Sequence, residues 1–186
     1  LRKHLNKMSE RTYDSLREKT FAEIRSHEGA HNSLDVSDAV FNIVSSNGFC
    51  SELYSKFYAN LLDEFPAMRA TLDTNIQEAK TYMSDVVIKD PNVDYDAFCD
   101  QNKFNAAKRA RGKFYVHLVA RNVIGVEVII SVIQAVQSAL LGAEEDRRAM
   151  GIRDELSETL FEMLAAGKSA GLCQHSGWNA VKRDLD

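Results

Sequence analysis

His27, Glu28 and His31, in the run HEGAH, come closest in this sequence to a catalytic motif by residue type and spacing. They fit H-E-x-x-H, in which two imidazoles one helical turn apart bind zinc and the glutamate acts as general base. That chemistry needs both histidines inside one helix, a third ligand from elsewhere and an open position for water. Here the run falls where the apolar period of the first helix ends. Gly29 weakens a helix by about 1 kcal/mol relative to Ala, and His31 opens the polar run HNS. The later Gly and His of the extended motif are missing, because Asn32 to Ser37 follow. Glu52 stands where a glutamate ligand could, as do many residues. A zinc metallopeptidase is therefore the distant alternative. Two polar histidines at a helix end are the expectation.

Other groups point less firmly to chemistry. DPNVDYDAFCDQ, from Asp90 to Gln101, alternates acids and amides like a calcium loop. Tyr95 occupies the position that needs glycine and Gln101 the position that needs a bidentate glutamate, so a solvated acidic loop is expected. Cys173 and His175 form an isolated Cys-x-His pair. No glycine-rich phosphate loop and no nucleophile–base motif is present. No metal or cofactor is expected, and no catalysis.

The densest local charge lies in KFNAAKRARGKFYVHLVAR, which carries Lys103, Lys108, Arg109, Arg111, Lys113 and Arg121 with no acid. The whole chain has a net charge of -4, so this basic stretch is an asymmetry within an acidic protein. On an ideal helix Lys113, Phe114, His117 and Arg121 share one side, and Tyr115 and Val119 point elsewhere. A basic face with an aromatic suits RNA phosphates and bases or an acidic protein partner. The plain alternative is a solvated helix with Phe114 in the core.

These residues need elements to position them, and the sequence supplies helices. Its 186 residues, 45% hydrophobic and 27% charged, suffice for one domain with a sizeable core. Two prolines and nine glycines leave little material for many tight turns. Cys50, Cys99 and Cys173 are scattered and odd in number, which predicts reduced thiols and an intracellular location, cytoplasmic or nuclear. No apolar signal core opens the chain. Its ends suggest a domain excised from a longer protein.

The apolar period predicts helix after helix. Ser9 is expected to cap the first, which carries Tyr13, Leu16, Phe21 and Ile24. A loop, HNSLDVSD, leads to a second with Val40, Phe41, Ile43 and Val44, stopped by Asn47-Gly48. Leu53 to Leu62 form a third. Phe65-Pro66 opens a fourth, which Asp90-Pro91 stops. A fifth spans about Asn102 to Asn122, a sixth about Val126 to Leu141, and a seventh covers Leu156 to Leu164. GKSAGLCQHSG reads as a loop, and WNAVKRDLD as the start of an eighth helix. Between Val123 and Leu141 the chain has the length of a membrane span. However, Glu127, Ser131, Gln134 and Ser138 form one polar stripe, which predicts a buried helix instead. Helix pairs beginning near residues 9, 50, 100 and 152 predict an all-α fold, a HEAT-type α-solenoid of stacked antiparallel helical hairpins.

The same residues carry a resemblance. LNKMSERTYDSL resembles the opening of the middle domain of eukaryotic translation initiation factor 4 gamma, whose first helix begins Leu-Asn-Lys-Leu-Thr-Pro. Leu5, Asn6 and Lys7 match, while Met8 stands for Leu, Ser9 for Thr and Glu10 for Pro. AVFNIVSSNGFCSELYSKF is similar to the family's second and third helices through Val40-Phe41 and Phe49…Ser51-Glu52-Leu53-Tyr54, with one extra residue after Phe49. AKRARGKFYVHLV resembles its arginine-rich helix at Lys113, Phe114 and Leu118. There Val116 and His117 replace Gly-Glu. ELSETLFEMLAAGKS is similar to a late helix that leads into a Gly-Lys pair, here Gly167-Lys168.

The resemblance covers nearly the whole chain in order. It implies one HEAT-repeat middle domain over residues 1–186, either lacking its last repeats or a divergent, shortened version, since the family has five helical pairs and this chain about three and a half. The implied function is a translation-initiation scaffold that binds and stimulates the DEAD-box RNA helicase initiation factor 4A. It would hold the two helicase lobes half-open and shift their populations. The implied partner contacts are Asn6, Lys7, Met8, Lys113, His117 and Arg121, with RNA at Lys108, Arg109 and Arg111. Other initiation factors would join through the parent chain. The alternative is a HEAT scaffold of a related cap-binding, splicing or mRNA-decay complex.

Overall fold

The aromatic residues of three separate helices meet in one seam. Phe41, Tyr58 and Phe114 form a triangle with ring centroids 5.8, 5.7 and 6.2 Å apart, all close to edge-on, the arrangement that ring quadrupoles favour. The structure, a computed structural model, describes residues 1–27, 33–143 and 147–183. Among them every regular element is helical. Nine α-helices occur: α1 (Arg2–Leu5), α2 (Tyr13–His27), α3 (Ser33–Ser45), α4 (Ser51–Glu64), α5 (Arg69–Ser84), α6 (Tyr95–Ala120), α7 (Val126–Gly142), α8 (Arg147–Ser169) and α9 (Trp178–Arg183). None of the described helices is long and apolar enough to cross a membrane.

The helices pack in two rows. α6 lies along α8 and along α4, and α5 lies against both α3 and α7. The consecutive helices that pack most extensively are α3 with α4 and α7 with α8. The sequence spacing pairs α4 with α5 and α8 with α9, and neither of those pairs packs extensively. α6 and α8 pack tightly at Gly112, where an added Cβ would lie 2.9 Å from Met163 Cγ. Only a residue without a side chain admits the methionine there.

Local chemistry explains where boundaries differ from expectation. α2 starts at Tyr13, four residues after Ser9. A hydroxyl-rich turn intervenes, in which Thr12 Oγ1 accepts the Ser9 N–H at 2.9 Å and donates to the Lys7 carbonyl at 3.0 Å. Residues 33–38, expected in a loop, already belong to α3. α5 ends at Ser84, ahead of Asp90-Pro91. α6 starts at Tyr95 because extended Asp94 accepts the Ala97 N–H at 2.9 Å, an N-cap that outweighs the loop-like composition around it. The polar stripe of α7 is partly exposed, while Ile129, Val132, Ile133 and Val136 are buried. Gln137 is buried too, and its amide donates to the Val181 carbonyl at 2.9 Å, tying α7 to α9.

Candidate partner-binding site

The basic segment of the sequence is the middle of α6, and helical geometry sends its cations in different directions. Lys108 turns inward. Its side chain is 1% exposed, and its ammonium donates to the Asp85 carbonyl just past α5. The Tyr82 and Phe104 rings lie 5.7 and 5.5 Å from the nitrogen. Burial pushes its pKa down, partly opposed by Asp85 and Glu155. Arg111 bridges helices: it donates to Asn42 at 2.8 Å and to Ser45 at 3.3 Å on α3. Its guanidinium sits 5.1 Å from the Phe41 ring centroid and 4.8 Å from that of Tyr82, a favourable cation–π placement.

Arg109, Lys113, His117 and Arg121 recur every four residues and form one stripe. Carboxylates from neighbouring helices face most of it. Arg109 pairs with Glu155 of α8. Lys113 Nζ lies 3.2 Å from Glu162 Oε2, also on α8. His117 is nearly buried, and desolvation lowers its pKa, with Glu52 of α4 opposing. Arg121 at the end of the stripe is exposed. The sequence reading missed Glu155 and Glu162. Their spacing of seven, beside cations four apart, was the available signal for a facing helix.

The N-terminal candidates divide likewise. Asn6 and Lys7 are exposed and Met8 is buried in the core. Tyr54 donates its hydroxyl to the Leu5 carbonyl at 3.0 Å and fixes this corner to α4.

These elements enclose a groove of about 820 Å³ between α1, the α3–α4 turn, α6 and α8. It gathers Asn6, Arg109 and Lys113 from the expected site and adds Arg2, Phe49 and Lys103. A second hollow of about 700 Å³ shares Arg2, Ile43, Ser46 and Ala107 with it and extends to Tyr82 and Phe104. His117, Arg121 and Glu52 line a smaller hollow of about 280 Å³. The expected partner residues in and just after α6 therefore divide between two hollows, Lys113 in one and His117 and Arg121 in the other. Comparison with protein-family models, characterised proteins and solved structures finds no match to this chain.

The remaining chemical candidates resolve by position. His27 is the last residue of α2, and Glu28 to His31 lie outside the described residues. Among the described residues, no group of three or more His, Cys, Asp or Glu could hold a metal ion. The acids of the Asp90–Gln101 run serve the start of α6: Asp90 accepts the Asn92 N–H at 2.8 Å and Asp94 is the cap. His175 Nδ1 accepts the Gly177 N–H at 3.2 Å, a local turn contact.

Proposed function

We propose that this chain is a HEAT-type α-solenoid that acts as a cytoplasmic scaffold. Its implied partner is the DEAD-box RNA helicase initiation factor 4A, and it performs no chemistry of its own. The observation that carries this reading is the two-row packing, with α4–α6–α8 against α3–α5–α7. Stacked helical pairs bury a continuous core and leave long surfaces, an arrangement suited to holding other proteins. The resemblance to the middle domain of initiation factor 4 gamma supplies the partner. Asn6, Lys7 and Arg121, all exposed, are available for contact. Met8 acts through packing beneath them. RNA binding, which the resemblance also implies, does not rest on Lys108 or Arg111, because the fold holds both cations.

The test is the RNA-dependent ATPase rate of initiation factor 4A as this chain is titrated in at fixed salt. A saturable rise is expected, weakened by Lys7→Glu and Arg121→Glu. No rise, together with no binding, would overturn the helicase reading.

A further inference from the structure

Phe49 is 99% exposed, and the turn that carries it is closed by a hydrogen bond. Asn47 Oδ1 accepts the Cys50 N–H at 3.2 Å across the α3–α4 turn, an Asx-type closure. Gly48 in the same turn lies against α6, where an added Cβ would sit 3.5 Å from Ala110 Cβ. Burying a phenylalanine contributes roughly 1.5–3 kcal/mol, so a pinned turn that presents one to solvent gains nothing for folding. Phe49 lines the groove together with Ala106, Ala107 and Ala110. Small side chains there let another backbone come close.

The groove is also cationic in a protein of net charge -4. Arg2, Lys103, Arg109 and Lys113 line it, and Glu162 is the one carboxylate among its described lining residues. Arg2 has no ion-pair partner among the described residues, and Lys103 has only solvent-exposed Asp100 at 2.9 Å.

We propose that this groove docks an acidic peptide segment of a partner protein, with an apolar side chain of that segment set against Phe49. The groove contains neither Lys7 nor Arg121, the two residues on which the helicase reading is tested, so the two readings fail separately. Charge complementarity commits the occupant to acidic chemistry, and the pattern of groups commits it to protein over nucleic acid. Arg109 and Lys113 already face carboxylates, which leaves two sparse cations where a nucleic acid would demand a regular series. Phe49 is a single anchor and not a stacking ladder. Phe104, the next aromatic along, is engaged edge-on with Tyr82 at 5.8 Å.

The test uses a fluorescein-labelled peptide of Asp, Glu, Ser and Gly carrying one central Leu-Phe pair. Its anisotropy is followed as the chain is added at low salt. Saturable binding is expected, weaker by about tenfold or more in Phe49→Ser and in the Arg2→Glu, Lys103→Glu double variant. These side chains are exposed, and circular dichroism checks that the variants remain folded. Equal binding of a peptide with Ser-Ser in place of Leu-Phe would reduce the effect to bulk charge and overturn the proposal. So would the absence of binding, or tighter binding of a single-stranded RNA that displaces the peptide.

Discussion

Gly167 and Trp178 meet with no space between them. A Cβ on Gly167 would lie 2.5 Å from Trp178 Cη2, at the rigid end of the indole. The contact sets the first residue of α9 against α8, while α9 packs mainly on α7, and Trp178 is buried. An alanine here gains about 1 kcal/mol of helix propensity but must push the whole ring outward, an overpacking cost of about 1–3 kcal/mol. Gly167→Ala is expected to lower the denaturation midpoint. It should also shift fluorescence to longer wavelength, a clean signal because the chain has one tryptophan. An unchanged spectrum would mean that α9 accommodates the methyl group without moving.

Lys108 combines a buried ammonium, one carbonyl partner and two aromatic neighbours. Lys108→Ala removes the packing and leaves the Asp85 carbonyl unpaired, and a loss of about 2–4 kcal/mol is expected. Lys108→Met keeps most of the volume and removes the charge with its desolvation cost, so it should cost less. Urea denaturation ranks the two. Equal losses would assign the stability to the hydrogen bond.

Arg111 and Arg121 are expected to separate structure from contact. Arg111→Glu places a carboxylate between Phe41 and Tyr82 and opposes Asn42 with an acceptor. It should destabilise by about 3 kcal/mol or more. Arg121→Glu, at an exposed helix end, should stay within about 0.5 kcal/mol of the parent. Any loss of partner binding in the first variant is expected to follow its unfolded fraction in thermal melts, and in the second to occur without unfolding.

His117 makes stability depend on pH. Its folded pKa lies below the unfolded value of about 6.5, because burial disfavours the imidazolium more than Glu52 supports it, with Lys113 and Arg121 adding repulsion. The unfolded chain therefore binds the proton more readily. The contribution from this residue is complete above about pH 6.5 and is lost as pH falls through the folded value. His117→Gln should flatten that part of the stability profile, read as the urea midpoint between about pH 7 and 5. A variant profile parallel to the parent's would rule the residue out.

Much of the fold was legible because it rests on period. The stripe on α7 and the core positions of α3 and α4 follow from apolar spacing alone, and Asn47-Gly48 marked a true end. The boundaries that moved were decided by single side chains: Asp94 capping α6 and Thr12 bracing the turn before α2. The site was less legible. A run of cations shows its charge in the sequence, but the carboxylates opposite it lie 46 and 49 residues away on α8. Lys108 and Met8 looked like surface residues because nothing in their neighbours reveals which helix will cover them. The exposure of Phe49 was not legible either, since it depends on the turn that carries the ring.

The two-row packing also bears on how the protein comes into being. Each helix finds its principal neighbours within three elements along the chain. A polypeptide leaving the ribosome can therefore set Phe41 against Tyr58 while α6 is still unmade, then receive Phe114 into a waiting site. Such assembly from the N-terminal side keeps little apolar surface idle at any moment. It also asks for few distant encounters, the condition under which chains fold quickly.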